Sequence, residues 1–189
     1  SRNGGLSKNN FSSLNCAYKK NDSNENVRKN RILASNHLNK KKIILPNQAH
    51  SNIVIKIDKN IENQKPADAL ITDRQDVLLG VLTADCAPMI VLGEKNYGTI
   101  HAGWKGLIYG ILENTISKFL SLGEKEQNLN IFVGPHLKQK SFEVKDDFIQ
   151  ILKKNIIDCE RFIKKKNNYN FFDFSGLIES KLLDLKISN

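Results

Sequence analysis

The chain has 189 residues, a length that predicts one domain able to bury a continuous core without disulfides or other staples. No apolar run approaches the ~20 residues of a bilayer span, the start Ser1-Arg2-Asn3-Gly4-Gly5 lacks the features of a secretory signal, and three widely spaced cysteines, Cys16, Cys86 and Cys159, fit a reducing, cytoplasmic compartment better than a disulfide framework. The formal charge of +9 comes with 24 Lys against 5 Arg and with 23 Asn, a compositional bias rather than a phosphate-binding pattern, so neither a nucleic acid nor a membrane is expected as partner.

The first forty residues, rich in Asn, Ser and Lys, read as a loop turning at Gly4-Gly5 and then a helix from Asn24 to His37. Lys40 to Lys42 form a basic run without interleaved aromatics, as do Lys164 to Lys166, and both are expected to be solvated surface. Ile43-Ile44-Leu45, closed by Pro46, and the β-branched Ile53 to Ile57 suit strands, with Gln48 and His50 on the connection between them. Asp68 to Thr72 is a further short strand. Val77 to Leu82 is apolar throughout, which predicts a central strand buried on both faces. It leads into Thr83-Ala84-Asp85-Cys86, after which Met89 to Leu92 and Tyr97 to Ile100 form two more strands around a turn at Gly93 to Asn96. Leu107, Ile108, Ile111, Leu112, Ile116, Phe119 and Leu120 recur at helical spacing up to a stop at Gly123. Ile131 to Val133 is a strand broken by Gly134-Pro135, Phe142 to Lys154 an amphipathic helix, and Tyr169 onward an extended piece followed by a helix from Ser175. Between Pro66 and His136 five Lys/Arg face eight Asp/Glu, so the middle of the chain is mildly acidic.

Two residues with metal-ligating side chains, Cys86 and His101, stand 15 positions apart, each placed by this reading just past the end of an apolar strand. His50 lies in a loop 36 residues before Cys86. If the strands are neighbours the three side chains converge. Two imidazoles and one thiolate favour zinc, with copper as competitor, and three protein ligands leave a fourth position open for chemistry. A closed structural site in a binding module would need His136 or Cys159 as fourth ligand; His37 and Cys16 read as incidental. Asp85 adjoins the thiol, Thr83 precedes it, and Trp104-Lys105-Gly106 opens a helix whose free N–H groups, with Lys105, would favour phosphate.

Several motifs occur together in a fixed order: Ser1-Arg2-Asn3-Gly4-Gly5-Leu6-Ser7 with Ser13-Leu14-Asn15, Gln48-Ala49-His50, Ala67-Asp68-Ala69-Leu70-Ile71-Thr72, Leu82-Thr83-Ala84-Asp85-Cys86-Ala87-Pro88, His101-Ala102-Gly103-Trp104-Lys105-Gly106, and Gly134-Pro135 with Phe142-Glu143-Val144. In these the chain resembles the YfiH family, also called the laccase-domain, polyphenol-oxidase or purine nucleoside phosphorylase family. The resemblance spans nearly the whole chain. It implies an α+β fold, an α/β/β/α layered sandwich with mixed sheets, forming one domain over residues 1–189. It implies metal ligation by His50, Cys86 and His101, phosphorolysis of adenosine, inosine and methylthioadenosine, and deamination of adenosine as a companion activity. Arg2, Asn15 and Gln48 match positions near the substrate. Two departures are visible: Ser141 stands where many relatives have a cysteine, and the sequence starts a little late and stops at Asn189, before the family's C-terminal segment.

On this reading a zinc-bound water, its pKa lowered toward about 7, would attack C6 in deamination. Asp85 is the candidate proton shuttle, with Cys86 and His101 at the reacting centre, while Arg2 and Lys105 hold phosphate and Trp104 stacks on the base or packs beneath the helix. Two rivals stay within enzymes: a peptidoglycan-precursor hydrolase with Cys86 as nucleophile and His101 as base, and a copper phenol oxidase, which four histidines serve poorly. The expected partners are small molecules, and the expected state is a monomer or weak homo-oligomer.

Overall fold

The computed structural model describes residues 3–18, 21–38, 42–58 and 65–187. The chain divides into two compact units, Ser1–Leu45 with Arg74–Leu82, and Pro46–Asp73 with Thr83–Asn189.

In the first unit, α1 (Asn24–His37) begins at Ser23, whose side chain accepts a hydrogen bond from the Asn26 N–H and satisfies one free donor of the first turn. Asn30, fully buried on α1, ties down the preceding loop by donating to Ser7 Oγ and to the carbonyls of Ser13 and Asn15, and by accepting from the Leu6 N–H. Gly5 is required there, since a Cβ would lie 2.1 Å from the Ser13 carbonyl oxygen. Strand β1 (Lys42–Ile44) pairs in parallel with β4 (Val77–Leu79), and together they form a two-stranded sheet. The central strand expected from Val77 to Leu82 is thus corrected. Only three of those residues pair, and Leu78 and Leu79 are half-buried. A continuous apolar run shows that a segment is covered, not how many strands flank it.

The second unit holds a five-stranded mixed sheet in the order β2 (Val54–Lys56), β3 (Ala69–Thr72), β6 (Tyr97–Ala102), β5 (Ala87–Leu92), β7 (Asn130–Val133). β2 and β3 run parallel and the remaining pairs antiparallel. Ile100, Ala102, Met89 and Ile71 from these strands share a buried cluster with Ile111, Leu112, Ile116 and Phe119 of α3 (Ile111–Ser121). The single helix expected from Leu107 is two: α2 (Trp104–Ile108) ends before Gly110, whose φ of 94° lies in the left-handed region open to glycine. A smaller antiparallel sheet has the order β8 (Glu143–Val144), β10 (Tyr169–Phe172), β9 (Ile163–Lys166). Asn167 and Asn168, both at positive φ, turn β9 into β10 as a type I′ hairpin requires. The helix expected from Phe142 starts later, as α4 (Asp146–Asn155), because Glu143 and Val144 are taken into the sheet. The chain closes with α5 (Phe174–Asp184), capped by the Asp173 carboxylate on the Gly176 N–H. The architecture is α+β with mixed sheets. Among the described residues no helix is long and apolar enough to cross a membrane.

The β5–β6 turn is held by one carboxylate. Glu124 is buried and accepts from the N–H groups of Glu94, Lys95 and Asn96 and from the Asn96 side chain. Burial alone would raise its pKa, but the hydrogen bonds from the Asn96 side chain and the three backbone donors outweigh that and lower it from 4.5 to about 2. A depressed folded-state pKa contributes stability that is present above the unfolded value and lost as pH falls through the folded one. The protein is therefore expected to lose on the order of 2 kcal/mol of unfolding free energy between about pH 4.5 and pH 2 from this group. Glu124→Gln should remove that acid-side slope and cost about 1–3 kcal/mol at neutral pH. Denaturant titrations of both proteins at stepped pH check it.

Candidate metal centre

The centre is assembled by the register of one hairpin and by one loop clamp. In the β5–β6 pair Ala87 lies opposite Ala102 and Pro88 opposite His101, so Cys86, one residue before β5, comes level with Gly103, one residue after β6. The sequence reading placed His101 beyond its strand and Cys86 after an apolar strand. The structure places His101 inside β6, only 2% exposed, and Cys86 at the entrance to β5, half-buried.

His50 reaches the same point from the loop before β2. Its backbone φ of 55° is unusual for a residue with a Cβ, and the loop is fixed by the fully buried carboxylate of Asp68. That carboxylate accepts from the N–H groups of Ala49 (3.1 Å), His50 (3.0 Å) and Ser51 (2.6 Å) and from the Ser51 hydroxyl (2.7 Å). It also lies 2.7 Å from Nδ1 of His101, whose own backbone N–H donates to the Asp68 carbonyl. Burial by itself would raise the Asp68 pKa. The hydrogen bonds from His101, Ser51 and Ala49 outweigh it and hold the carboxyl below its ordinary value.

The outcome is a triad of donors. One nitrogen each of His50 and His101 and the Cys86 sulfur lie within 4.8 Å of one another. The imidazole rings meet edge to face with centroids 4.9 Å apart, and Cys86 Sγ is 3.9 Å from His50 Nε2. Tetrahedral zinc with its usual bond lengths would set a nitrogen and a sulfur about 3.5 Å apart, so the Cys86–His50 pair fits an ion after a shift of a few tenths of an ångström, while the triad's span of up to 4.8 Å requires a larger closure. Gly103 provides the room: a Cβ there would lie 2.8 Å from His50 Cδ2 and 3.3 Å from Cys86 Sγ. Burial first, then the Asp85 and Asp68 charges, push the Cys86 thiol above its usual range. A cation against the sulfur reverses this by favouring thiolate.

Among the described residues no fourth His, Cys, Asp or Glu joins the group. His136 does not close it. Its Nδ1 is 2.8 Å from the Gly134 carbonyl and its Nε2 2.9 Å from Ser175 Oγ, so both ring nitrogens are used locally. Cys159 is buried in the apolar cluster of the second unit beside Glu160.

Asp85 and Thr83 are exposed on the bend into Cys86, and Gln48 is half-buried two residues before His50. Lys105 is exposed, its ammonium 5.4 Å from the centre of the Trp104 ring. Trp104 is half-buried and meets Phe148 edge-on with centroids 4.9 Å apart, which is the packing alternative for this side chain. Asn15 lies in the first unit, where its amide donates to Ala17 O and Asp22 and its carbonyl accepts from the Ala17 N–H. Arg2 lies outside the described residues. The sequence reading gave no role to Asp68 or Gly103, although both sit in the motifs it singled out; an acid opening an apolar strand and a glycine two residues from a candidate ligand were the available signals.

The sequence profile of the multi-copper polyphenol oxidoreductase laccase family matches residues 1–189. The chain belongs to this family. Among the relatives of this chain, a purine nucleoside phosphorylase of Rickettsia prowazekii is 34% identical over 84% of this chain and 69% of its own length. An adenosine deaminase from an unknown prokaryotic organism is 34% identical over 59% of this chain and 47% of its own. The crystal structure of a Neisseria meningitidis protein matches with a TM-score of 0.88 and 26% identity, covering 98% of this chain and 76% of that one. That of the YfiH protein of Bacillus licheniformis matches with a TM-score of 0.91 at 23% identity, over 100% and 76%, and shows the shared fold. Further curated relatives, from Rickettsia conorii and Aquifex aeolicus, are covered over 62% and 61% of their length, so the chain spans under two thirds of each.

Proposed function

We propose that the chain is a metal-dependent purine nucleoside phosphorylase acting on adenosine, inosine and methylthioadenosine, with adenosine deamination as a companion activity, and that His50, Cys86 and His101 hold its metal. The observation that carries this reading is the convergence of two imidazoles and a thiol within 4.8 Å, in a laccase-family chain whose relatives include a named purine nucleoside phosphorylase and a named adenosine deaminase. A bound divalent ion would supply Lewis acidity and positive charge beside the reacting atoms. Zinc is favoured by the N, N, S donor set, and a divalent charge is favoured because the Cys86 thiolate and the buried Asp68 carboxylate bring two negative charges to the centre.

In phosphorolysis the C1′–N9 bond breaks as a phosphate oxygen bonds to C1′, and the departing base keeps the electron pair and takes up a proton. Lys105, exposed and cationic, is assigned the phosphate; α2 has only five residues, so the side chain rather than the helix end provides the charge. Asp85, exposed beside Cys86, is assigned proton transfer. Gln48 is assigned to the nucleoside through the family resemblance, and Thr83 through its place three residues before Cys86. Trp104 serves as a wall, holding α2 against Phe148.

The test is metal analysis of the purified protein with an assay for adenine release from adenosine. Zinc near one equivalent per chain and adenine release that requires phosphate are the expected results. Copper with phenol oxidation, or cleavage of a peptidoglycan precursor that survives chelation, would overturn the reading.

A further inference from the structure

The geometry points to Asp68 as the positioning residue of the metal centre, one carboxylate that sets the tautomer of His101 and the place of His50 together. The inference rests on the proposal that His50, Cys86 and His101 bind a metal, and it adds how two ligands from different segments are held ready before the ion arrives.

Three observations carry it. The first is chemical. An ionised carboxylate only accepts hydrogen bonds, so Asp68 Oδ1, 2.7 Å from His101 Nδ1, requires a hydrogen on Nδ1. In the neutral ring that leaves the lone pair on Nε2, the form that ligates a metal. The second is connectivity. The same Oδ1 takes the His50 N–H at 3.0 Å, while Oδ2 takes Ala49, Ser51 and the Ser51 hydroxyl, so the loop that holds His50 at a φ of 55° hangs from the group that orients His101. The third is burial. Asp68 is 0% exposed, and its two carboxylate oxygens together accept five hydrogen bonds, so it has little freedom to adopt another arrangement. Asn at this position could turn its NH2 toward Nδ1, donate to it, and place the ring hydrogen on Nε2, where it blocks ligation.

The role is separable from plain structural support. Ser51→Ala removes one hydrogen bond to Oδ2 and leaves the contacts of Oδ1 in place. The primary measurement needs no variant: long-range 1H–15N NMR of the chelator-treated wild-type protein, expected to show His101 with its hydrogen on Nδ1. Finding it on Nε2 would overturn the inference. Zinc affinity, by competition with a chromophoric chelator, is expected to fall about 10- to 100-fold in Asp68→Asn and to stay within about twofold in Ser51→Ala. The cobalt(II) ligand-field spectrum should shift in the first variant and not in the second. An Asp68→Asn protein with wild-type zinc affinity and an unchanged His101 tautomer would also defeat it. If the wild type binds neither zinc nor copper, the metal proposal fails; the tautomer measurement still decides what Asp68 does to His101.

Discussion

Cys86→Ala is expected to purify folded, with zinc affinity reduced by well over a hundredfold and phosphate-dependent adenine release lowered by at least about a thousandfold. The first figure follows from ligand number. Disturbing a group that only supports a ligand costs about 10- to 100-fold in affinity, and deleting one of three ligands removes more. The second follows because an oxygen nucleophile and a leaving base would both lose the local positive charge. Stability should change little. Cys86 is half-buried just before the first residue of β5, outside the fully buried cluster of Ile100, Met89 and Phe119, so the cost is within about 1 kcal/mol. The contrast is the diagnostic feature: unchanged thermal melting in chelator beside a lost zinc-induced rise in melting temperature. A cysteine hydrolase makes a different forecast, in which chelation leaves wild-type turnover intact and Cys86→Ala abolishes it.

The convergence of His50, Cys86 and His101 was legible before the fold because each lies in a short motif flanked by β-type apolar runs, and β5 and β6 are joined by a turn short enough to make them neighbours. Once Ala87 pairs with Ala102, the separation of 15 residues between Cys86 and His101 becomes one step across a hairpin. Asp68 was not legible as a positioning group. A carboxylate before an apolar strand usually marks the strand's exposed end, whereas the fold brings five donors around Asp68. The break between α2 and α3 was hidden for a related reason: Ile108, Ile111 and Leu112 keep helical spacing across Gly110, and periodicity does not record a φ of 94°. Strand β9 was masked by composition. Its Lys164, Lys165 and Lys166 read as a solvated run, yet they form the edge strand of the smaller sheet, where lysines guard against pairing with another chain.

Gly103→Ala is the second substitution expected to act strongly, and it isolates geometry from chemistry because no ligand or charge is removed. Gly103 has φ −76° and ψ 159°, extended backbone that any residue adopts, so alanine brings no strain of its own. Losing glycine at the start of α2 costs at most about 1 kcal/mol. The added methyl would sit 2.8 Å from His50 Cδ2 and 3.3 Å from Cys86 Sγ, which forces the imidazole or the thiol aside by several tenths of an ångström. Metal bonds tolerate about 0.2 Å. The expected result is a protein that melts close to wild type in chelator, binds zinc about 100-fold more weakly, and gives a distorted cobalt(II) spectrum. His50 is the softer of the two neighbours, being exposed on a loop, so the ring should move and His101, packed inside β6, should not. NMR of the apo variant reads this directly as a shift of the His50 resonances with those of His101 in place. Wild-type zinc affinity in Gly103→Ala would mean that the two imidazoles and the thiol do not share an ion in the arrangement described.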